Sequence, residues 1–157
     1  MPSRSNRAEA LRVGLVSDTQ NLLRSEVLDY LRGSDHVVHA GDICGEAVLE
    51  ALAQLAPLTV VRGNNDKGPW ATRLREAETV VLGGIAIHVV HDLKDLVLPP
   101  AARVVVCGHS HKPGVQERDG VLYVNPGSAG PRRFKLPVSA AELRIERGQV
   151  TAHLAQF

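Results

Sequence analysis

The chain has few aromatic residues: Phe, Trp and Tyr make up 3% of its 157 positions. That leaves little from which to build the stacking platforms that hold single-stranded nucleic acid. An excess of either charge is also lacking. Eighteen Lys and Arg stand against 17 Asp and Glu, a formal net charge of +1, so no bulk field argues for nucleic acid or a membrane surface. No apolar run approaches the roughly 20 residues of a membrane span, and no apolar stretch follows the basic residues of the N-terminal MPSRSNRAEALR to make a signal peptide. There are only two cysteines, Cys44 and Cys107. They lie far apart among apolar or Gly neighbours, which argues against a disulfide framework and for two buried, reduced thiols. A soluble, cytoplasmic protein is expected. It should be one domain, long enough to bury a core without staples, with residues 1 to about 10 as a disordered extension.

What the chain does have is a series of short β-branched runs that stop at polar turns. RVGLVSD ends at Asp18, DHVVHAGD at Asp42, PLTVVRGNND at Asn64 to Asp66, and IAIHVVHD at His91-Asp92. RVVVCGHSH ends at His109 and His111, and VLYVNPGS at Asn125 to Ser128. These read as strands, several of them buried on both faces. Two helical patterns lie between them. LLRSEVLDYLRG places Leu22, Val27, Leu28 and Leu31 on one face and stops at Gly33; GEAVLEALAQLAP places Ala47, Val48, Leu52 and Leu55 together and stops at Pro57. The first half thus alternates strand and helix as right-handed βαβ units do. From about Thr79 strands dominate, with turn signals at Gly83-Gly84, Asp119-Gly120 and Arg147-Gly148. That half is expected to form a more mixed or antiparallel sheet packed on the first.

In open α/β sheets, functional groups gather beyond the carboxyl ends of the strands. Five strands here end in Asp18, Asp42, Asn64, His91 and the pair His109/His111. Each has a plain alternative: Asp18 and Asp42 as helix N-caps, Asn64 as a turn residue at positive φ, His91 as a strand cap. Together they argue for a site of carboxylates, an amide and imidazoles. Such a donor set without thiolate suits Mn²⁺, Fe²⁺, Ni²⁺, Co²⁺ or Zn²⁺. Six or more ligands exceed what one tetrahedral ion uses, whereas two ions sharing a carboxylate use them naturally, and paired ions activate a bridging hydroxide for in-line displacement at phosphorus.

These blocks, in order, resemble the calcineurin-like metallophosphoesterases, in particular the small bacterial and archaeal phosphodiesterases of the YfcE type. The resemblance runs from VGLVSDT through HAGDI, VRGNND, VVHD and VCGHSHKP to YVNPGSAGPRR. It implies a four-layer α/β/β/α sandwich of two mixed sheets, two divalent ions with Mn²⁺ or Ni²⁺ foremost, and hydrolysis of a small phosphodiester or phosphomonoester. By position, Asp18 and His111 are implied ligands of the first ion, Asn64, His91 and His109 of the second, and Asp42 of both. Asp42, Asn64, Asn65 and His91 carry the implied catalytic roles. Arg132 or Arg133 could hold a substrate phosphate, or be plain surface charge, and a homo-oligomer is compatible with the sequence.

The chain also departs from the pattern. Relatives carry Asp-x-His in the first block; here it is Asp18-Thr19-Gln20, and Gln20 offers one neutral oxygen, a poorer donor than imidazole nitrogen. Asn65 stands where larger relatives place a His able to act as general acid; it can instead hydrogen-bond a phosphoryl oxygen. His91-Asp92 replaces His-Gly-His. Gln20 supports the competing reading, a non-catalytic protein-interaction scaffold with a degenerate metal site, a use to which the retromer's small subunit puts this fold. His36, His39 and His88 are read as structural, with His39 the best placed to support Asp42. Ser128 and Asn125 are read as shaping their loop.

Overall fold

The β-branched runs form strands that sort into two sheets. The computed structural model describes residues 10–157; the expected N-terminal extension lies outside them except for Ala10, which opens the first strand. In chain order the elements are β1 (Ala10–Val16), α1 (Ser25–Leu31), β2 (His36–His39), α2 (Glu46–Leu55), β3 (Leu58–Val60), α3 (Pro69–Thr72), β4 (Ala77–Leu82) and β5 (Ile85–Val90). A 3₁₀ turn (Leu93–Asp95) precedes β6 (Val104–Val106), β7 (Gly114–Arg118), β8 (Val121–Asn125), β9 (Ser139–Glu146) and β10 (Gln149–Gln156). One sheet has the order β10-β9-β1-β2-β3 and the other β4-β5-β6-β8-β7. Both are mixed: β1, β2 and β3 run parallel, as do β5, β6 and β8, and the remaining strands pair antiparallel.

The sheets face each other across a dry core. Val13 and Leu15 of β1, Val38 of β2, and Leu143 and Ile145 of β9 meet Ile85, Ile87 and Val89 of β5, Val104 and Val106 of β6, and Val124 of β8. The alternate residues of the first sheet, Val16, Val37 and Ala140, pack beneath Val27 and Leu31 of α1 and Val48 and Leu52 of α2. Strands apolar on both faces are what helix-covered parallel sheets require. On the second sheet's outer face, Val90, Val105, Cys107 and Val121 are covered by Leu96, behind the 3₁₀ turn, with Tyr123 beside them. The protein is thus an α/β/β/α sandwich whose fourth layer is thin. No helix among the described residues is long and apolar enough to cross a membrane.

The structure corrects several sequence readings. β9 and β10 do not join the second sheet; β9 pairs antiparallel with β1 from Ala10 to Leu15, covering an edge that would otherwise expose unpaired backbone groups. Leu22 is not on α1. Its N–H closes a turn onto the Thr19 carbonyl at 2.8 Å, Arg24 is extended before the helix starts, and the Leu22 side chain is exposed. Ala47 faces solvent, while Leu49 turns inward beside Val48. Cys107 is buried as expected, but Cys44 is only partly so.

Helix α1 lies very close to β1, and Gly14 makes this possible: a Cβ there would stand 2.6 Å from Leu31 Cδ2. Leu31 is fully buried and cannot swing aside. Gly14→Ala should therefore destabilise the protein by about 1–3 kcal/mol in urea unfolding. In a Leu31→Ala background the same change should cost clearly less, because the cavity accepts the new methyl; equal costs in both backgrounds would show that the approach to Leu31 is not the constraint.

Candidate metal centre

Five parallel strands, three from one sheet and two from the other, deliver the expected donors to one edge of the sandwich. Asp18 follows β1, Asp42 follows β2, Asn64 follows β3, His91 follows β5, and His109 and His111 follow β6. The loops turn sharply. Asp18, Gln20, Asp42, His109 and His111 all have positive φ, between 46° and 71°, a conformation that costs non-glycine residues energy and collects at functional sites. Neither aspartate caps a helix, since α1 and α2 follow Arg24 and Gly45 and neither cap makes a side-chain bond. Asn64 is not among the positive-φ residues.

Asp18, Asp42 and His91 are all buried, and one ligand atom of each lies within 4.8 Å of the others. His91 Nε2 is 3.5 Å from Asp42 Oδ2, 4.0 Å from Asp18 Oδ1 and 3.0 Å from Asn64 Oδ1. His109 Nδ1 is 3.2 Å from the same Asn64 oxygen, and His111 Nε2 is 3.5 Å from Asp18 Oδ1. All six strand-end residues are thus brought together. Gln20 joins them through its backbone, its N–H donating to the Asp42 carbonyl at 3.0 Å. Beside Asn64 and His91 a cavity of about 280 Å³ opens, walled also by Arg62, Glu76 and Asp92. Arg132 and Arg133 are exposed; Arg133 is near enough to His111 for its charge to help lower that imidazole's pKa, after burial.

The proton positions follow from the partners. His91 Nδ1 lies 2.8 Å from the Ala40 carbonyl, which can only accept, so Nδ1 carries the hydrogen. In the neutral ring the Nε2 lone pair then faces Asp42, Asp18 and the Asn64 oxygen, all acceptors. At an effective dielectric of about 20, two carboxylate charges at this separation repel by roughly 3–4 kcal/mol. Burial alone would lower the His91 pKa, but the bond to Asp42, the Ala40 carbonyl and the Asp18 charge together raise it: a proton goes where positive charge is missing. Burial raises the Asp18 carboxyl, against its Ser17 bond and the nearby imidazoles. Burial also opposes ionisation of Asp42, yet contacts with His91 and Asn65 bring it down to about 2. Among the described residues, the buried polar atoms left without a hydrogen-bond partner are Asp18 Oδ1 and His111 Nδ1. An arrangement of converging lone pairs with an orphaned carboxylate oxygen fits a divalent cation.

A second set of contacts holds the donors in place. Asn65 gives both its N–H and its side-chain amide to the two oxygens of Asp42, each at 2.9 Å. Ser17 Oγ and the His109 N–H both bond Asp18 Oδ2, at 2.8 and 3.1 Å. His39 is fully buried, accepting from Gly41 N–H at Nδ1 and therefore donating from Nε2 to Thr19 Oγ1; Thr19 passes its own hydrogen to the Ile43 carbonyl. The Asp18 and Asp42 loops are thereby tied through one neutral imidazole. Asn125 bonds the Gly108 carbonyl and Ser110 Oγ, and Ser128 bonds the Asp18 carbonyl, so both fasten the site loops. His36 and His88 bond Thr59 and Thr79 within their sheets. The Cys44 thiol is pushed up to about 11 by burial and the nearby aspartates, so it stays protonated.

The sequence reading assigned no role to Asp66. Its carboxylate accepts the backbone N–H groups of Asp42, Gly63 and Cys44 at 2.8–2.9 Å, knitting the GNND loop to the Asp42 loop. The approach is so close that a Cβ on Gly63 would fall 2.2 Å from Asp42 Oδ1. No feature of GNND singled it out, because its partners are backbone N–H groups.

Comparison with known proteins agrees with this geometry. Residues 11–148 match the calcineurin-like phosphoesterase superfamily domain. The chain belongs to that family. It is 31% identical over 156 residues, covering 90% of both chains, to a probable metallophosphoesterase of the archaeon Methanothermobacter thermautotrophicus. Its fold matches that of an archaeal phosphodiesterase with a TM-score of 0.74 at 20% identity, over 92% of this chain and all of the other. It matches Vacuolar Protein Sorting 29 of Cryptosporidium parvum with a TM-score of 0.75 at 20% identity, over 94% and 98%.

Two predictions follow from the supporting contacts. Asp66→Ala should destabilise the protein by about 3 kcal/mol, because three N–H groups, two of them buried, lose a charged acceptor; a loss below about 1 kcal/mol in denaturant would show that water replaces it freely. The second concerns pH. Burial, with the His91 charge, lowers the His39 pKa to about 3, so the unfolded chain binds a proton that the folded one refuses between pH 6.5 and 3. Stability from His39 is complete above pH 6.5 and is lost as pH falls, at about 1.4 kcal/mol per unit; Asp42 adds a further loss below its unfolded value of 3.8. Chelator-treated protein should lose stability as pH falls from 6 to 4.5, with the raised Asp18 and His91 pKa values offsetting part of the loss, and His39→Gln should flatten the slope. An unaltered slope would remove His39 as its source.

Proposed function

We propose that this protein is a divalent-metal-dependent phosphoesterase that hydrolyses small phosphodiesters at a site for two ions. The observation that carries the reading is the set of acceptor atoms aimed at one another around His91 Nε2, with Asp18 Oδ1 orphaned beside it. The family membership and the probable metallophosphoesterase among the relatives support it.

Asp18, His111 and Gln20 would hold one ion, Asn64, His91 and His109 the other, and Asp42 both. Mn²⁺ and Ni²⁺ suit this imidazole and carboxylate set best, with Fe²⁺, Co²⁺ and Zn²⁺ alternatives. When bound, the ions supply Lewis acidity that lowers the pKa of water and offsets charge on the phosphoryl oxygens. The chain's own residues orient the reaction. Asn65 fixes both oxygens of Asp42, so its amide acts first on that carboxylate and then on phosphate beside it. Arg132 and Arg133 are exposed, with Arg133 near His111, and would offer guanidinium groups for the outer phosphoryl oxygens. The cavity beside Asn64 and His91 has room for the alcohol portion of a small ester. The scaffold reading keeps one observation in its favour, the likeness in fold to Vacuolar Protein Sorting 29; the strand-end donors of this chain stand against it.

Hydrolysis of an activated aryl phosphodiester should vanish with chelator and return with Mn²⁺ or Ni²⁺. Asp42→Asn should lower kcat by two orders of magnitude or more, because a neutral amide cannot balance the charge of adjacent cations. His153→Ala, on exposed β10, should leave kcat within twofold. Comparable activity in the two variants would overturn the site assignment, and chelator-resistant activity would overturn the mechanism.

A further inference from the structure

The three strand-end imidazoles are not held alike. His91 has its tautomer fixed by the Ala40 carbonyl, and His111 is locked by burial. His109 is different: its side chain is 45% exposed, at the rim, and its backbone has φ 71°. An imidazole so exposed would be free to rotate and to carry its hydrogen on either nitrogen, and a ligand with two orientations binds a cation weakly. Its Nδ1 nevertheless faces Asn64 Oδ1 at 3.2 Å, and its ring packs edge-on against His91 with centroids 5.2 Å apart. The outward nitrogen, Nε2, lies 3.5 Å from Asp92 Oδ2.

Asp92 is itself held. Its Oδ1 accepts the Lys94 N–H at 3.1 Å, capping the 3₁₀ turn Leu93–Asp95. That bond leaves Oδ2 directed at His109, with Lys94 Nζ 3.8 Å away. Asp92 is only 19% exposed, far less than the ring it faces. A capped, largely buried carboxylate thus stands behind an exposed imidazole, on the side away from Asn64.

We propose that Asp92 is a positioning residue for His109: it draws the hydrogen to Nε2 and turns the Nδ1 lone pair toward Asn64 and the metal centre. This deepens the metal-centre reading and rests on it. The device is the one that carboxylates use behind metal-bound histidines, where loss of the partner typically costs ten- to a hundredfold in metal affinity. The contact also gives the thin fourth layer of the sandwich a function, since the 3₁₀ turn that sets Asp92 belongs to it.

Two substitutions separate this role from simple capping. Asp92→Ser keeps an oxygen for the Lys94 N–H but is too short to reach His109, whereas Asp92→Asn keeps that oxygen and turns an NH2 donor toward His109 Nε2, which draws the ring hydrogen to Nδ1 instead. Calorimetric titration of chelator-stripped protein with Mn²⁺ should show one binding step weakened ten- to a hundredfold by Asp92→Ser and at least as much by Asp92→Asn, with equal thermal stability of the metal-free forms. The imidazole ¹⁵N shifts of the metal-free parent at pH 8 should show His109 hydrogenated at Nε2, with that signature averaged in Asp92→Ser. Unchanged Mn²⁺ affinity in Asp92→Ser, or a His109 hydrogenated at Nδ1 in the parent, overturns the proposal. If the parent binds no Mn²⁺ while the His109 signature still depends on Asp92, the metal-centre reading fails, and with it the role of Asp92 in metal binding, although the tautomer control stands.

Discussion

Asp18 and Asp42 have to be kept side by side and ionised in a buried place, and most of what is unusual in this chain serves that constraint. Two buried carboxylates at such a distance repel, and burial by itself would protonate them. The protein answers with N–H and O–H donors on each carboxylate: Asn65 twice on Asp42, Ser17 and the His109 backbone on Asp18. Those donors stabilise the charges and still leave Asp18 Oδ1 without a partner. His39 shows the same economy. It could have supplied a positive charge from below; fully buried and neutral, it supplies only a tether between the two aspartate loops.

The topology makes this possible. Three parallel strands in each sheet finish at one edge, so loops from distant parts of the chain meet there with no long connection. Each loop then needs a sharp change of direction within one or two residues of its strand. Positive φ at Asp18, Asp42, His109 and His111 makes those turns, and the polar residues that tolerate the conformation best are also the ones a cation needs. Strain and chemistry thus fall on the same residues. The return of β9 to pair with β1 serves this edge as well: it leaves β1 central, with β2 on its other side, and a central strand holds the Asp18 loop more rigidly than an edge strand could.

Much of this was legible in the sequence because buried parallel strands write themselves as apolar runs, and a polar residue just beyond such a run is conspicuous. Asp18, Asp42, Asn64, His91, His109 and His111 could all be picked out that way, and so could the hairpin turns. Other features leave no periodic mark. Asp66 works by accepting backbone N–H groups, which every residue possesses, so nothing in GNND marked its third polar residue as the anchor. The assignment of β9 and β10 failed because alternation identifies a strand but not the edge it joins. Ala47 was placed inward because a helix only ten residues long leaves the phase of its apolar stripe loosely determined, and Leu49 fits the inner face better. Leu22 matched the helical spacing by coincidence while belonging to the turn that brings Thr19 under the site.

The two halves of the proposed centre are unequal in a way that bears on Gln20. Around Asn64 the donor atoms are already assembled: His91 Nε2 and His109 Nδ1 lie within 3.2 Å of its oxygen, and each ring has a partner behind it, the Ala40 carbonyl or Asp92. Around Asp18 the unpartnered atoms collect, Asp18 Oδ1 and His111 Nδ1, and the third donor that the proposal assigns there is the amide of Gln20. An amide oxygen carries only a dipole and is a poorer donor to a divalent cation than imidazole nitrogen. The difference is one of donor strength, and it falls on the side where the unpartnered atoms collect. On the proposed assignment, the ion beside Asp18 is the weakly held one, and occupancy there, rather than the chemistry of the well-ordered side, limits how fast the site can work at scarce metal.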